Sequence, residues 1–365
     1  MDRPKQLLFL SYASIMMSSI FIPNYAAALG ASMMEVGLVG AVYGLSLFIS
    51  SYIFSRASDI KGRKRFIVLG VFLSAITFLL QAVAWSPHSL MIIRGLSGFS
   101  LGIFTAPLIA YVSDTGGGMG TFSSYGSMGW AAGGLLAGII AQEGEALERI
   151  SPLASFWSVF LISSLLFVIS LFTVLQLPEI NFRPRHTPLF PIETFRRNIR
   201  IYVSAFLRHF GAYSIWAIFP LFLAHIGASK LWIGILYFIN MGGQAVVMRR
   251  LDFADDMKLI KTGLLLSAAV FFAYTLAPDF RWVIPLQALL AVSYSFLYVG
   301  DLVYLTGRNP EKATSVGILN SILGICIGLG PVLGGALSQR YGFHSVMYSA
   351  SLLALLGFFI AARGS

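Results

Sequence analysis

Charged side chains are scarce in this 365-residue chain. Asp, Glu, Lys and Arg together make up 11% of it, while hydrophobic residues make up 57%. A soluble domain carries about a quarter charged residues, and the mean hydropathy of +0.80 points the same way, so a water-soluble globule is excluded. Cysteine is nearly absent. Cys326 stands alone in an apolar run, which rules out an intramolecular disulfide and any Cys-based metal cluster. Acids are fewer than bases, 15 against 25, and the formal net charge is +10. No tail or loop is long enough for an obvious signalling domain. The first apolar stretch, Gln6 to Leu29, has no distinct h-region and cleavage pattern, so it reads as a true span and not as a removable leader.

Long apolar stretches fill the rest. A bilayer core of about 30 Å needs roughly 20 residues of helix, and such stretches recur over 6–29, 33–55, 66–86, 88–112, 121–142, 153–177, 199–226, 230–249, 259–278, 281–305, 313–338 and 342–363. The expected fold class is therefore an all-α integral membrane protein with twelve transmembrane helices. The charge distribution sets its orientation. With the amino terminus inside, the basic residues at Arg3, Lys5, Arg56, Lys61, Arg63 to Arg65, Arg196, Arg197 and Arg200 all fall on the cytoplasmic face. Only Arg149, Lys230, Arg281 and Arg340 fall outside. This asymmetry follows the positive-inside rule, with both termini cytoplasmic in the cytoplasmic membrane. It accounts for the basic excess without a nucleic-acid partner.

The longest polar connection, rich in Pro and Arg, runs from Leu177 to Asn198 near the midpoint. It reads as a cytoplasmic linker over 178–198, between a bundle over 1–177 and another over 199–365. An internal repeat supports two related halves. Pro23, Gly30-Ala31-Ser32 and Gly37 are matched at Pro220, Gly227-Ala228-Ser229 and Gly234, 197 residues on. Gly129-Trp130-Ala131-Ala132-Gly133-Gly134 is answered by Gly330-Pro331-Val332-Leu333-Gly334-Gly335, 201 residues on.

After the second span comes Ser55-Arg56-Ala57-Ser58-Asp59-Ile60-Lys61-Gly62-Arg63-Lys64-Arg65. This segment closely resembles the signature between helices two and three of the major facilitator superfamily, with Ser55 in place of the leading Gly and Ile60 in place of a basic residue. Gly62 permits a tight turn, Asp59 can hold a helix amino terminus, and Arg63 can pair with an acid on a neighbouring helix. Asp114, near the end of the fourth span, is the available acid. The resemblance implies that Asp59, Gly62, Arg63 and Asp114 form a gating latch; a topogenic basic loop is the plainer reading. In the second half Met248-Arg249-Arg250-Leu251-Asp252 holds the equivalent place, but Asp255 and Asp256 stand where Gly and Arg are expected. Only Asp252 survives as a gating residue, so the first half is expected to carry the stronger latch.

Arg94-Gly95-Leu96-Ser97-Gly98 resembles the family's Arg-x-x-x-Gly motif on helix four, linked in many members to proton coupling. An intramembrane Arg costs at least about 2.5 kcal/mol, so Arg94 either faces a cavity or snorkels to the outer interface. The overlapping Gly98-Phe99-Ser100-Leu101-Gly102 matches a hydrolase elbow, which needs a strand-to-helix turn; inside a membrane helix, close packing is the better explanation. The protein is therefore read as a non-enzyme, with no metal and no cofactor. The two glycine-rich segments resemble the Gly-Pro-x-x-Gly-Gly motif of antiporters, and only the second has the Pro. Helix packing is the expected role of these glycines.

Span seven holds an unexpected charge. Arg208 lies about ten residues, roughly 15 Å, into its helix, with Tyr202, His209, Tyr213 and Trp216 at helical spacing around it. Span ten has Gln287, Tyr294, Tyr298 and Asp301 on one face. In the family, helices one, four, seven and ten line the central cavity, and Asn24, Arg94, Arg208 and the span-ten stripe fall on those four. Asn240, Gln244 and Asn320 are secondary binding candidates. His209 and Asp301 join Arg94 as candidate coupling groups, with Asp301 also placed to serve a gate. The resemblance implies two pseudo-symmetric six-helix bundles and secondary transport by alternating access, of a small solute with protons as candidate coupling ion. Two buried arginines favour an anionic or amphipathic organic substrate; export of cationic drugs is the rival. A membrane receptor or lipid scramblase is the alternative of a different class. The bilayer and the solute are the expected partners, and the chain reads as a monomer.

Overall fold

The structure, a computed structural model, describes residues 2–31, 33–144, 149, 151, 153–180, 191–228, 230–251 and 255–363. Among these residues there is no strand. Lipid offers the backbone no hydrogen-bond partners, so a chain this apolar satisfies its N–H and C=O groups inside helices. Six long helices come first: α1 (Arg3–Ala28), α2 (Met33–Lys61), α3 (Arg63–Leu80), α4 (Pro87–Asp114), α5 (Met119–Gly144) and α6 (Ala154–Leu175). A short α7 (Ile192–Arg197) precedes six more: α8 (Ile199–His225), α9 (Lys230–Met248), α10 (Asp256–Ala273), α11 (Val283–Arg308), α12 (Lys312–Tyr341) and α13 (Phe343–Ala362). The twelve long helices match the twelve expected spans in order. Nine helical stretches among the described residues are long and apolar enough to cross a membrane, and Ile235–Met248 is a shorter apolar one. The expected linker contains α7; its residues 181–190 lie outside the described set, as do Asp252 and the side chain of Asn24.

Two compact units divide the chain. One comprises Met1–Gly117 with Tyr125–Leu189, and the other Gly118–Ser124 with Phe190–Ser365. Within the first, α4 packs along α2 and α3, and α6 along α1 and α3. Within the second, α11 packs along α9 and α10, and α13 along α8 and α10. The two packing schemes are the same.

Local geometry repeats with them. Helix α1 ends at Gly30 (φ +88°) and α8 at Gly227 (φ +87°). In each case the next residue closes the helix with a backbone bond to the residue five positions back, Ala31 N–H to the Ala26 carbonyl and Ala228 N–H to the Leu223 carbonyl, both at 2.9 Å. This is the Schellman closure, and the left-handed residue it requires is glycine for lack of a Cβ. Helices α3 and α10 begin and end 193 residues apart, each running into a single 3-10 turn, Gln81–Val83 and Tyr274–Leu276. At that same spacing Ser74 bonds Ser100 at 3.1 Å and Ser267 bonds Ser293 at 2.6 Å.

Small residues set the helix spacing. A Cβ on Gly133 would collide with the Ala13 carbonyl oxygen on α1, and one on Gly334 with the Ser214 carbonyl oxygen on α8. The glycine-rich segments therefore hold backbone against backbone, as expected for packing glycines. Serines add bonds across helices, Ser164 to the Ala75 carbonyl and Ser351 to the Ala268 carbonyl, both 2.8 Å, each worth about 0.6 kcal/mol in a membrane. Outside, Ile92, Phe172 and Val332 are exposed, as a lipid-facing surface requires. Trp85 and Trp282, exposed just ahead of α4 and α11, sit where aromatic residues mark the lipid–water boundary.

Candidate functional site

The turn between α2 and α3 is made by Gly62 at φ +98°, ψ 151°, a conformation open essentially to glycine alone. It delivers Arg63, the first residue of α3, into the first unit, where only 5% of its side chain is exposed. Arg63 Nη1 is bound to the Asp59 carboxylate and donates to Ser58 Oγ at 3.3 Å. Its Nε donates to Asp114 Oδ2 at 3.1 Å. One guanidinium thus ties together α2, α3 and the end of α4. The residue that caps the amino terminus of α3 is Gly62 itself, which has no side chain to offer, and the Asp59 carboxylate is bound by Arg63.

The second unit holds a counterpart that the sequence reading missed. Asp256 stands 193 residues after Arg63, and Arg308 grips it with two bonds, Nε to Oδ2 at 3.1 Å and Nη2 to Oδ1 at 2.9 Å. The charges are reversed. The pair is open to solvent on the Arg308 side, which is 55% exposed, so it is weaker than the buried one around Arg63. Asp255, at the place of Gly62, caps α10 by accepting the Lys258 N–H at 3.1 Å. That bond, with the Lys258 charge, holds its carboxyl below the usual range. The missed signal was the 193-residue spacing, under which an acid at 256 calls for a base near 307.

Arg94 does not snorkel. It is 4% exposed, its guanidinium lies 4.2 Å from the centre of the Tyr43 ring of α2, and its Nε and Nη1 make no hydrogen bond among the described residues. The hydrolase-like Gly98 and Gly102 face α2, where a Cβ would strike the Tyr43 carbonyl and Ser50 Oγ respectively. Ser100 donates to the Ser97 carbonyl at 2.8 Å and pairs with Ser74 and Thr77. These residues pack helices and form no nucleophile.

The second unit gathers most of the remaining candidates. Arg208, 3% exposed in mid-helix, donates through Nε to Ser267 Oγ at 2.9 Å, and Ser267 pairs with Ser293 on α11. Its guanidinium lies against the rings of Tyr294 (5.4 Å) and Phe271 (5.6 Å). Among the described residues no carboxylate is within ion-pair distance. Both Asp301 oxygens are buried and make no hydrogen bond among the described residues. His209 donates from Nδ1 to the Ala205 carbonyl at 2.8 Å, its ring edge-on to Tyr294 at 6.1 Å, while its buried Nε2 has no partner.

Polar groups on α9 and α11 continue the cluster. Gln244 Nε2 donates to Asn240 Oδ1 at 2.6 Å, and Asn240 Nδ2 to the Gln287 carbonyl at 3.4 Å. Both side-chain polar atoms of Gln287, and the hydroxyl of Tyr274, are buried and unpartnered. Tyr298 stacks on Tyr294 at 5.5 Å. Trp216 departs from the expected stripe: it packs on Phe219 and Tyr237 and lines an apolar crevice with Ile215, Phe271 and Leu290. Tyr202 likewise serves packing, donating to the Ser315 carbonyl at 2.9 Å. Asn320 is half-buried on α12. Ser267, Ser293 and Tyr274 escaped the sequence reading because serine and tyrosine are ordinary in membrane helices. A fixed guanidinium among unspent amide, hydroxyl, imidazole and carboxylate groups can recognise a small solute with an anionic head.

A sequence profile described as the Major Facilitator Superfamily matches residues 7–253. The chain is 24% identical, over 94% of its length and 90% of the relative's, to the multi-drug resistance efflux pump PmrA of Streptococcus pneumoniae. It is 28% identical to an MFS-type transporter of Methanocaldococcus jannaschii, over a match covering 32% of each chain. By fold it resembles the crystal structure of the human organic anion transporter MFSD10, with a TM-score of 0.82 at 17% identity and 98% of each chain covered.

Proposed function

The chain belongs to the major facilitator superfamily and is a membrane transporter, and on that footing we propose that it carries a small organic anion by alternating access, coupled to protons. The observation that carries the reading is Arg208. Placing an arginine in mid-membrane costs at least about 2.5 kcal/mol, and here one side-chain hydrogen bond and two aromatic faces are what the protein returns for it. A carboxylate, sulfonate or phosphate on the solute supplies the missing counter-charge. Gln287, Asn240 and Tyr274 offer hydrogen bonds to the rest of the molecule. Asp301 and His209 carry the exchangeable protons, since each has buried polar atoms that no group among the described residues engages. The Arg63 cluster acts as the latch of one conformation.

A second reading is efflux of cationic or amphipathic drugs, supported by the efflux-pump relative and by the aromatic crevice of Trp216, Phe219, Phe271 and Tyr274. One screen separates them. Purified protein is heated with benzoate, glucuronate, glucose or ethidium at pH 5.5 and 7.5, because a bound ligand raises the unfolding temperature by mass action. Stabilisation by the carboxylates, pH-dependent and lost in Arg208→Ala, is the expected result. Carboxylate stabilisation that survives Arg208→Ala, or stabilisation by ethidium alone, would overturn the anion assignment.

A further inference from the structure

We propose that the junction of α7 and α8 is a binding site for a phosphate-type anion, separate from the solute site around Arg208. The junction borders an open cavity of about 270 Å³ lined by Arg196, Arg197, Asn198, Arg200 and Tyr304 among others. That volume falls just below the range of about 300–1,000 Å³ typical of drug-sized ligands, which suits a phosphate with a small ester group.

Its frame is rigid. Asn198 and Asn309, 1% and 3% exposed, exchange side-chain amide bonds at 2.8 and 3.1 Å. Each also binds its own helix, Asn198 the Thr194 carbonyl at 2.8 Å and Asn309 the Leu305 carbonyl at 3.1 Å. This pair welds α7 to the connection between α11 and α12.

The charge is not balanced. Arg197 donates to Asn309 at 3.4 Å and lies 3.7 Å from the Glu311 carboxylate. Arg196 and Arg200 make no side-chain hydrogen bond or ion pair among the described residues. Three arginines thus line a single cavity, and among the described residues the one ion pair between them and an acid is that of Arg197 with Glu311. An anion with several oxygens relieves the repulsion among the three and takes charge-assisted bonds in the planar geometry that arginine favours. The oxygens can come from the headgroup of an anionic phospholipid, since basic pockets at helix ends bind such headgroups, or from a free phosphate ester.

The test measures thermal stability and lipid retention of the purified full-length protein. Dioleoylphosphatidylglycerol is added to mixed micelles, dioleoylphosphatidylcholine serves as the uncharged control, and inorganic pyrophosphate is added without lipid. Saturable stabilisation by phosphatidylglycerol identifies a headgroup, and an equal effect of pyrophosphate alone identifies a free anion. In either case R196Q/R200Q should weaken binding at least tenfold, with its unfolding temperature unchanged when no anion is present. The exposed K61Q/R65Q pair, outside the cavity, should bind like wild type. Absence of saturable binding to both probes overturns the site. So does an equal loss in K61Q/R65Q, which would make the attraction diffuse surface charge.

Discussion

Replacing Arg63 by Gln tests whether a single guanidinium holds α2, α3 and α4 together. The Asp59 side chain is completely buried, and that of Asp114 is 25% exposed. Both look to the same base. Removing it takes from a buried carboxylate the guanidinium bound to it, and breaking a buried pair from one side costs about 3–5 kcal/mol. Since 1.4 kcal/mol is a factor of ten, the state that holds the pair falls in population by at least about a hundredfold. Removing the charge of Asp59 as well should reverse most of the loss, because a neutral hydrogen bond is worth only about 1 kcal/mol. Arg63→Lys should fall between, since Nε and Nη1 reach the two acids in different directions and a single ammonium cannot. The assay is chemical denaturation in detergent of wild type, Arg63→Gln, Asp59→Asn and the double variant, combined as a cycle. A coupling energy of about 2 kcal/mol or more is expected. Arg63→Gln within about 0.5 kcal/mol of wild type, or a double variant with purely additive losses, would refute the argument.

Other outcomes follow from particular contacts. Gly62→Ala forces a side chain into backbone space that glycine alone occupies and should destabilise by about 1–3 kcal/mol, read by the same denaturation. Gly334→Val meets the Ser214 carbonyl and should cost at least about 1–3 kcal/mol through overpacking, whereas Gly335→Val, with nothing within 4 Å of its Cβ, should stay within about 0.5 kcal/mol. Asp256→Arg and Arg308→Asp should each cost up to about 1 kcal/mol as partly exposed pairs do, and the double swap should recover that loss in a denaturation cycle.

The fold was largely legible in the sequence because a bilayer imposes one length and one polarity on every crossing. That constraint located all twelve long helices. It could not reveal α7, six residues with three charges among them, too short to cross a bilayer. The Gly62–Arg63 turn was legible because backbone geometry and charge coincide there in a short motif. Its counterpart at Asp256 and Arg308 was not, since the chemistry survives with the signs exchanged and a search for a base at 256 finds an acid. Arg208 stood out as a charge among apolar residues. The serines that hold it did not, because a serine in a membrane helix is equally at home on its own backbone carbonyl. What packs on Trp216, the rings of Phe219 and Tyr237, was not legible, because helical spacing gives a face of α8 and not its neighbours.

The backbone contacts at Gly133 and Gly334 also bear on the chain's history. Where two helices touch through their main chains, no substitution is neutral, because even a methyl group would move a whole helix. Beside them, Trp130 and Pro331 occupy matching positions and have drifted to unrelated side chains. The two halves thus match most plainly where there is least room for a side chain. In a chain of this kind, the fossil record is kept by the residues that have no side chain.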